Sequence, residues 1–371
     1  MKKDIILVLL IVLHLFFFVS IFAISPNSEI KPQTIDTQSS TLTTSSTTTT
    51  TTSSPTTTPL DIKQQQLKQN IIDSNNNNKI KEEEKEKSKN VYVTFADNAE
   101  YLKGIVALRM SMINTKCNYG LIVFVTKQVE QQDREPLQLL DCDVREIEMV
   151  DIPKEVSVQI DRWRPAFTKF RAWQLVEYER VIWLDSDMLL LKSLDHLFDL
   201  VDIGNPKLLY AAIDADANSC VFNSDRLKLI NSGIMLLSPS IDVYNLLIDG
   251  MVVVSKLPNQ STVNDQDVIN TTLPHWRSLS YPEYGVQITH CECTSEPRLW
   301  NFTNTYFLHF TAGLKELPKP WSLLKKSQNE AKDIFKQMPT CIEQIYLNWI
   351  NTYKEALDFI ENKLNLVNLV K

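Results

Sequence analysis

Two carboxylates that stand two residues apart are the side chains of this sequence best suited to chemistry. Asp185 and Asp187, with Ser186 between them, follow the apolar run 181–184, which predicts a short buried strand. In an open α/β sheet, ligands bind in the crevice outside the carboxyl ends of the strands. Two hard oxygen donors there are suited to hold a divalent cation against the phosphates of a nucleotide. Taken alone, however, an Asp-x-Asp pair is more often a pair of solvated turn residues.

Strand-like and helix-like patterns alternate from residue 91 onward, which predicts βαβ units around a mainly parallel sheet flanked by helices, a Rossmann-like α/β fold. No phosphate-binding glycine loop is present, and the chain has seven glycines in total. This argues against a nicotinamide dehydrogenase or a P-loop enzyme. The expected strands are 91–95, 120–126, 143–149, 181–184, 208–213 and 232–237, and the expected helices are 99–113, 134–140 and 167–178.

The amino-terminal part predicts a membrane anchor followed by a stalk. Residues 5–24 are almost wholly apolar, long enough for a hydrocarbon core of roughly 30 Å, and Lys2 and Lys3 precede them. The positive-inside rule then places residues 1–4 in the cytoplasm and the body across the membrane, as a single-pass type II protein. A cleavage site at 23–25 is the alternative. Residues 25–90 are rich in Ser and Thr and then in charge, which predicts a disordered stem.

Two other features agree with a lumenal body. Asn259, Asn270 and Asn301 each begin an N-glycosylation motif, and the six cysteines form an even set that an oxidising compartment can pair. Their connectivity cannot be read from the sequence. The net charge of −7 argues against a nucleic-acid partner, because binding a polyanion needs a clustered basic face.

Six segments, taken in order, resemble the glycogenin-like glycosyltransferases of family 8. They span nearly all of the predicted folded body, and the resemblance implies a catalytic domain at 91–325 with the GT-A type fold of nucleotide-sugar transferases. Residues 326–371 are expected to form a helical extension packed on that domain. The segments are 93–104, Arg164-Pro165 with Thr168-Lys169-Phe170, Asp185-Ser186-Asp187, Ile230-Asn231-Ser232-Gly233, Asn264-Asp265-Gln266-Asp267, and 309–321 with its closing Lys319-Pro320-Trp321.

The resemblance implies a retaining transfer of a sugar from a UDP-sugar to a glycan, glycoprotein or glycolipid in the Golgi or another secretory-pathway membrane. It implies Asp185, Asp187 and His309 as metal ligands, and this mixed oxygen and imidazole set suits Mn²⁺. Asn231, Asp265 and Gln266 are then expected beside the reacting carbon. The expected UDP-sugar contacts are Thr94, Asn98, Tyr101, Arg164, Lys169, Asp185, Ser186, Asp187, Asn231, Ser232, Gly313, Lys315 and Lys319.

Some alternatives stay open at this point. Either Lys315 or Lys319 is the diphosphate lysine, because Lys315 keeps the shorter distance from His309 and Lys319 keeps the Pro-Trp context. The sequence does not identify the sugar, the acceptor or the oligomeric state. Two other functions compete with a secretory transferase: a non-catalytic glycan-binding module on a mucin-like stalk, and a glycogenin-like enzyme that glucosylates itself.

Overall fold

The computed structural model describes residues 89–216, 219–258, 260–311 and 317–370. The predicted anchor at 5–24 and stem at 25–90 lie outside these ranges, apart from the last two stem residues. Across the described ranges, no helix combines the length and the apolarity needed to cross a bilayer.

Nine strands and seven α-helices form the described part of the chain. The strands are β1 (Asn90–Ala96), β2 (Leu121–Val125), β3 (Asp143–Glu146), β4 (Arg180–Leu184), β5 (Met188–Leu190), β6 (Tyr210–Ile213), β7 (Ile230–Leu237), β8 (Arg277–Ser278) and β9 (Phe307–His309). The α-helices are α1 (Ala99–Asn114), α2 (Gln131–Leu139), α3 (Ile241–Ser255), α4 (Asp265–Thr272), α5 (Pro320–Leu323), α6 (Gln328–Gln337) and α7 (Thr340–Val370). Helices of the 3₁₀ type span Asp161–Gln174, Asp195–Leu200, Ser224–Lys228 and Ile288–Glu292.

The central sheet has the strand order β3-β2-β1-β4-β7-β6-β8 among the described residues. Strands β3, β2, β1 and β4 pair in parallel, as do β6 and β8, whereas β7 runs antiparallel to both of its neighbours. The prediction of a mainly parallel α/β sheet flanked by helices is therefore confirmed. A second, two-stranded antiparallel sheet joins β5 to β9, a pairing that the sequence analysis did not predict.

The sheet buries both of its faces, which explains why its central strands are apolar without alternation. Tyr92 and Ile182 point into one core, which α1 and α7 cover, while Val93 and Trp183 point into the other, which α3, α4 and the 161–174 helix cover. A third cluster sets Trp349 of α7 against the α5 region.

One predicted helix differs in position and type. The segment expected as a helix over 167–178 is a 3₁₀ helix over Asp161–Gln174. Pro165 lies inside it, and a proline lacks the backbone N–H that a regular α-helix needs at an interior position. Its apolar side, which includes Phe167, Phe170 and Trp173, is fully buried under the sheet.

Two disulfides connect distant parts of the carboxyl-terminal half. Cys220 bonds to Cys293, and Cys291 bonds to Cys341 at the start of α7. Cys117 and Cys142 are not in disulfides.

Candidate functional site

A cleft of about 870 Å³ lies at the edge where β1 and β4 end and β7 begins. Because β7 runs against β4, the end of β4 meets the middle of β7, and the first residues of β7 extend beyond it: Leu184 pairs with Ile234, and the Asp185 amide donates to the Gly233 carbonyl at 2.8 Å. The cleft therefore stands outside the carboxyl ends of the parallel strands, where ligands of such sheets bind.

Asp185, Asp187 and His309 come together in this cleft. The two aspartates flank the turn from β4 to β5, and His309 at the end of β9 pairs with Met188 of β5. The His309 Nε2 atom lies 3.2 Å from Asp187 Oδ1 and 4.0 Å from Asp185 Oδ2, and one ligand atom from each residue lies within 4.8 Å of the others. Two carboxylates and one imidazole at this spacing fit a divalent cation.

Gly233 explains how the imidazole reaches the two carboxylates. A Cβ at this position would stand 2.3 Å from His309 Cε1 and 2.9 Å from the Asn231 side-chain oxygen. The Asn231 oxygen in turn accepts from the Gly233 amide at 3.0 Å. The Asn-Ser-Gly element therefore provides the surface against which the histidine ring packs.

Lys169 lies between the aspartate pair and the start of α4. Its ammonium is 3.3 Å from Asp185 Oδ1 and 3.0 Å from Asp265 Oδ2, and it donates to Ser232 Oγ at 2.7 Å. Burial alone would lower the pKa of Lys169, but the charges of Asp185 and Asp265 raise it above its ordinary value. Ser232 also donates to Asp265 Oδ2 at 2.6 Å, and its amide donates to Gln266 Oε1 at 3.0 Å.

Lys319 contacts the other aspartate. Its ammonium donates to Asp187 Oδ2 and to the Phe310 carbonyl. Burial opposes ionisation of Asp187, but Lys319 and His309 outweigh it and hold the pKa of Asp187 well below its usual range. Gly313 and Lys315 lie outside the described residues, so the structure does not compare Lys315 with Lys319.

Of the three residues expected from the segment 93–104, one lines the cleft and two do not. Thr94 is fully buried within β1, and Asn98 caps α1, its side-chain oxygen accepting from the Glu100 and Tyr101 amides. Neither residue lines the cleft, whereas Tyr101 and two residues absent from the prediction, Phe95 and Asp97, do. Burial raises the pKa of Asp97 above its ordinary value.

The arginine expected at the diphosphate also differs from the one that lines the cleft. Arg164 is exposed and pairs with Asp161 at 3.1 Å, while Arg162 borders the cleft together with Trp163 and Pro165. The signal for Arg162 was present in the Arg-Trp-Arg-Pro run, but choosing between the two arginines requires the phase of the 3₁₀ helix.

A third side of the cleft was not predicted at all. It consists of Asp214, Ala215 and Asp216 after β6, Arg226 before β7, and Gln287. Arg226 pairs with Asp214 at 2.8 Å. Burial raises the pKa of Asp214 even though this arginine opposes the shift. Asp214 follows a buried strand just as Asp185 does, so the same pattern at residues 210–214 was the available signal.

Comparison with known proteins identifies the family. The sequence is 25% identical to galactinol synthase 1 of Arabidopsis thaliana over 311 residues, covering 76% of this chain and 86% of the relative. It is 31% identical to galactinol synthase 1 of Solanum lycopersicum over 204 residues, covering 50% and 60% respectively. The fold resembles that of the galactosyltransferase LgtC in complex with donor and acceptor sugar analogues, with a TM-score of 0.50, 16% identity, and coverage of 71% of this chain and 95% of that one.

A sequence profile of glycosyl transferase family 8 matches residues 90–324, which include every described side chain of the cleft. The chain belongs to glycosyl transferase family 8 and is a glycosyltransferase.

Proposed function

We propose that this enzyme is a Mn²⁺-dependent, retaining transferase that moves a hexosyl group from a UDP-sugar to a hydroxyl group of an acceptor. The observation that carries the proposal is the convergence of Asp185, Asp187 and His309 within one cleft. Two lysines face three carboxylates there, because Lys169 and Lys319 stand against Asp185, Asp187 and Asp265. The excess of carboxylate favours a bound cation.

The chemistry requires positive charge beside the leaving group. Cleavage of the bond between the anomeric carbon and UDP leaves negative charge on the diphosphate, and a bound divalent cation supplies a Lewis acid for that charge. Lys319, which borders the cleft beside Asp187, provides a fixed positive charge on the same side. A cation already oriented in the folded protein costs little reorganisation when charge develops.

The elements expected near the donor sugar form one hydrogen-bonded unit. Asp265 is held through Oδ2 by both Lys169 and Ser232, and Gln266 is held by the Ser232 amide. This unit fixes the carboxylate, so that it can orient sugar hydroxyls and keep the reactants in line. We assign Asp265 and Gln266 to positioning the donor and the acceptor, and we assign no covalent role to either.

The relatives suggest which donor to test first. Their name, galactinol synthase, makes UDP-galactose the leading donor for this chain. We propose a hydroxyl-bearing carbohydrate as the acceptor, either a free polyol or a glycan on a protein or lipid.

The deciding experiment measures UDP release by the purified full-length chain. A panel of UDP-sugars is supplied with Mn²⁺ or with EDTA, and the Asp185→Asn variant serves as the control. Release from one donor that EDTA and the variant both abolish would support the proposal. A glycan-binding module would bind a carbohydrate without releasing UDP, and a self-glucosylating enzyme would gain mass from UDP-glucose without added acceptor.

We further propose that the enzyme is a single-pass type II protein of a secretory-pathway membrane. Its N-glycosylation motifs provide a test of this placement. The two disulfides fit an oxidising compartment. Asn270 is within α4 and its side-chain oxygen accepts from the Trp276 indole at 3.1 Å, whereas Asn301 begins an exposed turn in which Phe302 is 52% exposed.

Expression in a eukaryotic cell should therefore give an endoglycosidase-sensitive mobility shift. Asn301→Gln should remove or reduce the shift, and Asn270→Gln should leave it unchanged. A chain without any N-linked glycan would contradict the lumenal placement.

A further inference from the structure

Residues 214–216 and 219–229, between β6 and β7, contribute one side of the cleft, and we call these described residues the wall loop. Asp214, Asp216 and Arg226 of this loop border the cleft. Val221 of the same loop is 73% exposed, so part of the loop has little packing of its own to hold it in place. Arg226 pairs with Asp214 within the loop, and further contacts that fix the loop come from residues 287–293 of the chain.

Gln287 makes the first of these contacts. Its side chain is 3% exposed, and its amide nitrogen donates to the Ala215 carbonyl at 3.0 Å. Gln287 also forms an isolated β-bridge with His309, and the amide of His309 donates to the Val286 carbonyl at 3.1 Å. One short segment thus touches both the histidine of the proposed metal site and the backbone of the wall loop.

His290 makes the second contact, one turn further on. Its ring is fully buried, with Nε2 3.1 Å from the Asp216 carbonyl and Nδ1 2.5 Å from the Tyr281 hydroxyl. A carbonyl oxygen accepts only, so Nε2 carries the hydrogen and Nδ1 accepts from the tyrosine. Burial lowers the pKa of His290, in keeping with a neutral ring in this arrangement.

The disulfide between Cys220 and Cys293 makes the third contact. It joins the middle of the wall loop to the end of the segment that carries Gln287 and His290. The two side-chain hydrogen bonds go to main-chain carbonyls, and the third link is covalent. All three contacts therefore fix the path of the backbone of the wall loop. They do not use the carboxylates of Asp214 and Asp216, and the carboxylate of Asp214 pairs with Arg226.

We propose that His290 and the Cys220–Cys293 disulfide are positioning residues that hold the wall loop against the cleft, so that its acidic side chains keep the sugar and the acceptor aligned. This role rests on the proposed transferase function. Loss of either the His290 hydrogen bond or the disulfide lets the wall loop move away from the cleft. A displacement of about 1 Å is enough to slow a reaction between aligned groups by up to about 100-fold.

The test compares two disulfides of the same chain. The Cys220→Ser/Cys293→Ser variant should show faster amide hydrogen exchange within residues 214–229 and about tenfold slower UDP release, with unchanged affinity for Mn²⁺–UDP. The Cys291→Ser/Cys341→Ser variant, which frees α7 instead, should have a lower melting temperature with the exchange of the loop and the rate unchanged. Unchanged exchange of the loop in the first variant, or equal effects in both, would overturn the proposal.

His290 gives a test that does not depend on the disulfides. His290→Asn removes the donor at the Nε2 position, and His290→Gln keeps an amide donor near it. The His290→Asn variant should therefore speed amide exchange of the loop, and the His290→Gln variant should keep exchange close to that of the wild type. Equal exchange in both variants would contradict a positioning role. If the wild-type enzyme releases no UDP from any donor, the proposed function fails, while hydrogen exchange still decides whether these residues hold the loop.

Discussion

The two ends of the cleft are built in different ways. At the metal end, Asp187, Lys169 and His309 are each less than 9% exposed and are paired with one another or with their neighbours. At the nucleotide end, Tyr101 is 36% exposed and Arg162 lies at the surface. The comparison indicates that buried ionic contacts fix the side chains of the metal end, whereas the side chains of the nucleotide end are exposed and have fewer partners to fix them.

The two ends differ because their charges have different surroundings. A buried charge is tolerated only when it is paired, so each ionic residue at the metal end restricts the positions of the others. An exposed side chain pays no such cost and can move between partners. Substitutions at the metal end should therefore have large effects, and those at the nucleotide end small ones.

The largest effect is expected from Asp185→Asn. Removing one charged ligand should lower the rate of metal-dependent UDP release by about 10³-fold, since a bound metal contributes several kcal/mol to stabilising the transition state. The side chain of Asp185 is 28% exposed, so the variant should keep its fold. Stopped or continuous UDP assays, with circular dichroism as the control for folding, measure this; near-normal activity would refute the proposed metal site.

Lys169→Met tests whether the paired charges at the metal end stabilise the fold. It leaves Asp185 and Asp265 facing each other without a counter-charge, and the loss of one partner of a buried pair costs about 3 kcal/mol of unfolding free energy. Lys325→Met is the matched control, because Lys325 is 61% exposed in its pair with Glu100 and should cost less than about 1 kcal/mol. Urea denaturation measures both, and equal losses of unfolding free energy would show that burial does not make the ion pairs of Lys169 more important for stability than an exposed pair.

Gly233→Ala tests the packing beneath the histidine. A methyl group 2.3 Å from His309 Cε1 must displace the ring, and a shift of about 1 Å should lower metal-dependent turnover by about 100-fold. Titration of UDP binding with Mn²⁺ should show weakened metal dependence with the fold retained. Gly120→Ala is the control, because nothing lies within 4 Å of the added Cβ.

The smallest effect is expected from the two arginines of the 161–174 helix. Arg162→Ala should raise the KM for the UDP-sugar about fivefold, the worth of one exposed charged hydrogen bond, and Arg164→Ala should leave it unchanged. Arg162 borders the cleft and Arg164 pairs with Asp161 outside it. The reverse result would restore Arg164 as the donor contact that the motif suggested.

Asp185 and Asp187 could be proposed from the sequence because they follow a short apolar strand, and the carboxyl ends of parallel strands meet at one edge of a sheet. His309 was expected only from the resemblance to family 8, since it lies in β9 of the separate antiparallel sheet. The pairing of β5 with β9 escaped prediction, because three-residue strands carry too little pattern. The disulfide partners could not be inferred either, since six cysteines allow many connectivities.

The nucleotide end was harder to predict, because a polar residue there has competing uses. Asn98 has the residue type of a ligand contact and also of a helix cap, and the structure uses its side-chain oxygen for the cap. The resemblance pointed to Arg164, and which of Arg162 and Arg164 borders the cleft depends on the pitch of a 3₁₀ helix that contains Pro165. At the nucleotide end, the order of the motifs identifies which segment borders the cleft, but the fold determines which residue of that segment lines it.

The reversed direction of β7 has a consequence for how this enzyme could change its substrate range. The chain approaches the cleft on β6 and leaves it on β7, so the connection between these antiparallel strands is the end of a hairpin. A bulge at Ala211–Ala212 interrupts the pairing of β6 with β7 next to this connection. Exchange or lengthening of that hairpin end would replace acidic and apolar groups at the cleft while leaving β4, β5 and β9 in register. We expect acceptor preference to be evolvable, and open to loop grafting, at this point of the molecule more than at any strand that carries a proposed metal ligand.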